Sequence, residues 1–116
     1  EIWVEVHGDQ TKLPARMRRI MDVCSHPSVG LTWNSNDTDV TDGSVAASFA
    51  LLRPFIRCCH ITDLRSAYPW SELFTLLGRT GFDGFTLCEY PETVPAANGA
   101  AWLEDYRARW ESLKRG

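Results

Sequence analysis

The chain has 116 residues, 44% of them hydrophobic and 23% charged, with 12 basic against 15 acidic groups and a formal charge of −3. That is the composition of one globular domain with a single core, and the negative balance gives no electrostatic drive toward nucleic acid or an anionic lipid surface. No apolar run approaches the roughly 20 residues that span a bilayer.

The chain opens without Met, basic leader or signal-like block, directly in "IWVEVH" (2–7), whose β-branched and aromatic residues read as a strand. That start suggests a piece of a longer protein. Leu13, Met17, Ile20, Met21 and Cys24 then recur at helical spacing. "SVGLTWN" (28–34) reads as the second strand, and after Asp42 as the expected N-cap a helix carries Val45, Phe49 and Leu52 on one face. "FIRCCHI" (55–61) is the third strand. Its helix starts near Pro69, presents Trp70, Leu73, Phe74 and Leu77, and stops at the glycine-punctuated "GRTGFDG". "FTLCEY" (85–90) is the fourth strand, and a last helix from about Asn98 is expected to bury Trp102, Tyr106, Trp110 and Leu113. Four βα units in one domain (1–116) predict an α/β fold with parallel strands and right-handed crossovers.

The chemistry gathers at the strand ends. Glu5 and His7 close the first strand, Asn34 the second, His60 the third with Asp63 beyond it, and Glu89 the fourth. The intervals from Glu5 to Asn34, Asn34 to His60 and His60 to Glu89 are 29, 26 and 29 residues. Each strand thus offers one such group at nearly the same level, at the carboxyl ends where parallel α/β proteins build their sites. If these four side chains share a face, Trp3, Thr32, Cys58 and Leu87 lie behind them, and Val4, Trp33, Cys59 and Cys88 turn toward the helices.

Two carboxylates, an imidazole and an amide make a mixed oxygen and nitrogen set suited to Mn²⁺, Mg²⁺, Co²⁺ or Zn²⁺ rather than to a thiolate site. Asp63 is a candidate acceptor for the outer nitrogen of His60, or a loop-turning residue. Glu5 and Glu89 could flank a substrate and exchange protons with it on opposite sides, which fits proton transfer next to a carbonyl. His7 is either a ligand-facing donor or a packed loop histidine, and Arg65 an exposed loop arginine or an anion contact. Trp70 and Trp102 read as core. The four cysteines (Cys24, Cys58, Cys59, Cys88) lack metal spacing and read as buried reduced thiols of a cytoplasmic protein.

The segments "VEVHG", "VGLTWN", "CCHITDL" and "YPWSELFTLLGRTGFDGFTLCEY" together resemble the sugar phosphate isomerase/epimerase family, the xylose-isomerase-like (β/α)₈ barrels. The resemblance covers nearly the whole chain and implies the second half of a TIM barrel. It also implies a divalent metal held at Glu5, Asn34, His60 and Glu89, with the two glutamates as the acid/base pair on a small carbohydrate-like substrate. Two positions depart from the pattern: Asn34 stands where the family has Asp, and Asp37 where many members carry a substrate-binding His. Asn can still ligate through its carbonyl oxygen, Asp37 could supply the missing carboxylate, or the site could have become a non-catalytic sugar or polyol binder. A half-barrel leaves two open sheet edges and an unfilled interior, so the expected partner is the other half of the barrel or a second copy of the chain. The related endonuclease IV chemistry needs more histidine and aspartate ligands and a basic surface, which this composition does not provide.

Overall fold

A computed structural model describes residues 1–116. Its elements in chain order are β1 (Ile2–Glu5), α1 (Pro14–Cys24), β2 (Val29–Trp33), α2 (Ala46–Leu52), β3 (Ile56–Ile61), α3 (Trp70–Arg79), β4 (Phe85–Cys88) and α4 (Gly99–Arg115), with short 3₁₀ turns at Asp37–Asp39, Arg53–Phe55 and Ala96–Asn98. The strands pair in parallel in the order β1-β2-β3-β4. The order never reverses, so successive crossovers return on one side, and each helix packs on the next along that side. No helix is long and apolar enough to cross a membrane.

The helix-facing side holds the core. Leu31 and Trp33 of β2 and Ile56, Cys59 and Ile61 of β3 pack with Met17 and Met21 of α1, Phe49 and Leu52 of α2, and Leu73 and Phe74 of α3. The other side carries no helix. There Trp3 (38% exposed), Leu87 (47%) and Phe85 (62%) stay in solvent. A flat sheet would hold the backbones of β1 and β4 about 14 Å apart at about 4.8 Å per strand. The Trp3 and Phe85 rings nevertheless meet across this face with centroids 6.3 Å apart, because the sheet curls with this face concave.

One irregularity sets the phase of β3. Leu31 pairs with Ile56, but Thr32 pairs with Cys58, which leaves Arg57 as an extra residue. Regular pairing would have matched Asn34 with Cys59 and turned His60 toward the helices; the bulge returns Cys58 and His60 to the concave face. Glycine in β2 on one side and just before β4 on the other makes room for it. A Cβ on Gly30 would stand 3.0 Å from the Phe55 carbonyl oxygen and run into the Arg57 side chain, and one on Gly84 would overlap the Arg57 carbonyl oxygen.

Four expectations change. Asp42 does not cap α2. That helix starts at Ala46, and Glu72 of α3 receives the Val45 N–H (2.7 Å) and the Ser44 hydroxyl (2.7 Å) from across the helix pair. Of the α4 residues expected to be buried, only Tyr106 is; Trp102, Trp110 and Leu113 are half-buried because no further helix covers the outer flank of α4. All four cysteines are free, yet only Cys58 and Cys59 are buried, while Cys24 at a helix end and Cys88 on the edge strand are exposed. The strand-end groups are also not level: Glu5, Thr32, Cys58 and Phe85 form one row across the sheet, and His60 and Leu87 the next row facing the same way. Glu5 therefore starts one row below His60 and Glu89 one row above, since curled parallel strands are staggered.

Candidate metal centre

The long arms of the two glutamates absorb that stagger. Glu5 reaches up from β1, Glu89 lies just past β4 with its N–H donated to the Ile61 carbonyl (2.9 Å), and both point at His60. His60 Nδ1 lies 3.1 Å from Glu89 Oε2 and 3.5 Å from Glu5 Oε1. Asn34, only 8% exposed, fills the floor: its Oδ1 is 3.0 Å from His60 Nδ1 and faces Glu5 Oε1 and Glu89 Oε2, each at 3.1 Å. One donor atom from each of Glu5, His60 and Glu89 falls within 4.8 Å of the others. The glutamates and His60 sit at the solvent-open mouth of the concave face, with Glu5 and Glu89 exposed and His60 half-buried.

Local structure explains how the amide gets there. Directly after Asn34, Ser35 takes a left-handed backbone conformation (φ 52°), unusual for a residue with a side chain. Its hydroxyl donates to the His60 carbonyl (2.8 Å), which ties the tip of β2 to the tip of β3. The sharp turn brings Asn36 back beneath Asn34, where Asn36 donates through Nδ2 to the Val6 carbonyl and its Oδ1 accepts from Asn34 Nδ2 (3.3 Å). His7 stands at the exposed rim with Nδ1 3.2 Å from Asn34 Nδ2 and 3.9 Å from Glu5 Oε1.

These spacings fit a cation. Donors bound at about 2.1 Å to one ion stand about 3.0 Å apart at adjacent octahedral corners and about 3.4 Å apart at tetrahedral ones. Three oxygens and one nitrogen suit a hard or borderline divalent ion, with two negative charges to balance it. Without one, an amide oxygen facing two carboxylate oxygens is repelled. The opposite amide rotamer would instead donate from Nδ2 to Glu5 Oε1, Glu89 Oε2 and His60 Nδ1.

Three other expected site residues lie elsewhere. Asp37 accepts from Lys12 Nζ (3.2 Å) and from the Thr38 N–H, and Lys12 holds its carboxyl below the usual range. The Arg65 guanidinium is paired with Asp105 of α4 (2.7 Å) rather than aimed at the cluster. Asp63 accepts the Arg65 N–H through its carboxylate and Trp70 Nε1 through its carbonyl, and makes no hydrogen bond to His60. It turns the loop, the plainer of its two readings.

A residue the sequence did not single out lies below the centre. Asp39 is 1% exposed; its Oδ2 accepts the Asn36 N–H (2.7 Å) and the Tyr68 hydroxyl (3.3 Å), while Oδ1 has no partner. Burial, only partly offset by those two hydrogen bonds, pushes its carboxyl up to about 7. Tyr68 also accepts from Trp33 Nε1 (3.1 Å), so the polar floor of the centre is anchored into the core. The one sequence signal for Asp39 was its place in the polar run 34–39, where five of six residues are Asn, Asp or Ser.

Fold and site together define a parallel α/β domain with a four-residue oxygen and nitrogen cluster at the carboxyl end of its strands. The chain matches no protein-family model and no curated protein sequence.

Proposed function

We propose that the chain is the second half of a (β/α)₈ barrel of the sugar phosphate isomerase/epimerase kind, and that it moves a proton next to the carbonyl of a small sugar-like substrate. The observation that carries this reading is the meeting of Glu5, Asn34, His60 and Glu89 from four successive parallel strands, with Asn34 Oδ1 3.0–3.1 Å from the other three donors and His60 Nδ1 3.1–3.5 Å from the two carboxylates. The half-barrel is supported by the unreversed strand order and by the concave apolar face of Trp3, Phe85 and Leu87. The open edges at β1 and β4 are where the other half, or a second copy, would pair.

Glu5, Asn34, His60 and Glu89 would hold a divalent ion, whose chemistry there is to withdraw electron density from a substrate carbonyl and so acidify the neighbouring carbon. The residues do the rest. Glu5 and Glu89 enter from opposite edges of the sheet, so one carboxylate takes a proton from one side of a bound carbon while the other returns one. His60 keeps Nδ1 free as a ligand with its proton on Nε2. His7, at the rim beside Glu5, can donate to a substrate hydroxyl. Asp37 and Arg65 are paired with Lys12 and Asp105, and the scheme assigns them no step.

A binder without turnover is the second reading, favoured by the alternative Asn34 rotamer, which would satisfy both carboxylates without an ion. Titration with Mn²⁺ or Mg²⁺ and ¹H NMR of ketoses in D₂O separate the two. The half-barrel alone is expected to be inactive; in the completed barrel one ion per chain is expected, together with deuterium uptake next to the ketose carbonyl, and Glu89→Gln should slow that uptake by about 10²–10⁴-fold. No binding at millimolar ion, or uptake unchanged in Glu89→Gln, overturns the proposal.

A further inference from the structure

The two ends of the Asn34 amide are chemically opposite, and the residue beneath it favours one of them toward the cluster. A backbone carbonyl only accepts, so the Asn36 amide that reaches the Val6 carbonyl must present Nδ2 there. Its Oδ1 then faces Asn34 and can only accept, which favours Nδ2 at the Asn34 atom 3.3 Å away, whereas the two carboxylates and His60 favour the opposite rotamer unless an ion sits among them. When an ion occupies the cluster, the Asn34 carbonyl oxygen is thereby held toward Glu5, Glu89 and His60. In the opposite rotamer the Asn34 oxygen would face Asn36 Oδ1, acceptor against acceptor. Asn36 is itself held in place, since its backbone N–H donates to buried Asp39 (2.7 Å).

We infer that Asn36 is a positioning residue, reading the Val6 carbonyl and passing that polarity to Asn34, so that an uncharged amide serves the centre as an oxygen ligand. The inference rests on the metal-binding reading of the centre and goes beyond it. It explains how Asn can stand among two glutamates and a histidine without closing the cluster through its own NH₂ group. In that ion-bound orientation it also assigns the neighbouring tautomer: His7 Nδ1, 3.2 Å from Asn34 Nδ2, accepts, so the His7 proton sits on Nε2.

The test is a double-mutant cycle on Mn²⁺ affinity, measured calorimetrically on the 116-residue chain. Asn36→Ser keeps a good N-cap residue for the 3₁₀ turn while losing the reach to Val6. It should weaken Mn²⁺ binding by about tenfold in the parent chain but by less than about twofold in the Asn34→Asp background, since a carboxylate presents oxygen whichever way it is turned. An equal loss in both backgrounds, or none in the parent, overturns the positioning role while the metal-binding reading stands. Absence of Mn²⁺ binding by all four proteins overturns both. An independent readout needs no variant: in the Mg²⁺-loaded parent chain, NOEs from the Asn34 NH₂ protons should run to His7, and NOEs to His60 instead would overturn the inference.

Discussion

Asp39→Asn should remove a pH dependence of stability that a single buried carboxyl creates. The ordinary value of 3.8 rises to about 7 in the folded chain, chiefly because burial penalises the ionised form. Between those values the folded chain holds one proton that the unfolded chain has lost, so stability falls as pH rises. The contribution is fully present below pH 3.8, shrinks by about 1.4 kcal/mol per pH unit, and has gone above about pH 7, a total of about 4 kcal/mol. Against the 5–15 kcal/mol typical of a domain that is a large share. Asn keeps the oxygen that accepts from the Asn36 N–H and from Tyr68 but does not titrate. The assay is urea unfolding of both chains, followed by tryptophan fluorescence, from pH 4 to 8. Ionisations common to both chains cancel in the difference, which should move in favour of the variant by about 3 kcal/mol between pH 4 and 7. A difference that stays flat over that range would refute the burial argument.

Three further outcomes are expected. Glu72→Ala leaves the Val45 N–H and the Ser44 hydroxyl without their acceptor and should cost about 1–3 kcal/mol, read from the urea midpoint, with faster amide exchange at Val45 and Ala46. Gly84→Ala drives a methyl into the Arg57 carbonyl at the bulge and should cost about 1–3 kcal/mol or more; because that bulge sets the phase of His60, Mn²⁺ affinity should fall with it, and an unchanged midpoint would contradict the close packing. Asn34→Asp should tighten Mn²⁺ binding by about tenfold, since attraction of the added charge for the ion exceeds its repulsion by Glu5 and Glu89 by about 1.4 kcal/mol. Weaker binding in a calorimetric titration would mean that the four groups do not share one ion.

The local order of the chain was legible without coordinates. Strand and helix positions follow from side-chain periods of 2 and 3.6, which are properties of neighbouring residues. The same periods placed Glu5, Asn34, His60 and Glu89 at strand ends and Trp3, Thr32, Cys58 and Leu87 behind them. What periodicity cannot carry is the choice of partner. Arg65 is drawn to Asp105, 40 residues on, Asp37 to Lys12, 25 residues back, and the start of α2 to Glu72, 27 residues beyond Val45; each looked free, or locally capped, in the sequence. Only the tertiary structure decided the Arg57 bulge, which needs glycine in β2 and just ahead of β4. Burial of Asp39 likewise waits on Tyr68 arriving from 29 residues away. The physical reason is common to all of these: a backbone pattern is repeated by adjacent residues, whereas the environment of a polar side chain is set by whichever distant group packing brings within about 3 Å.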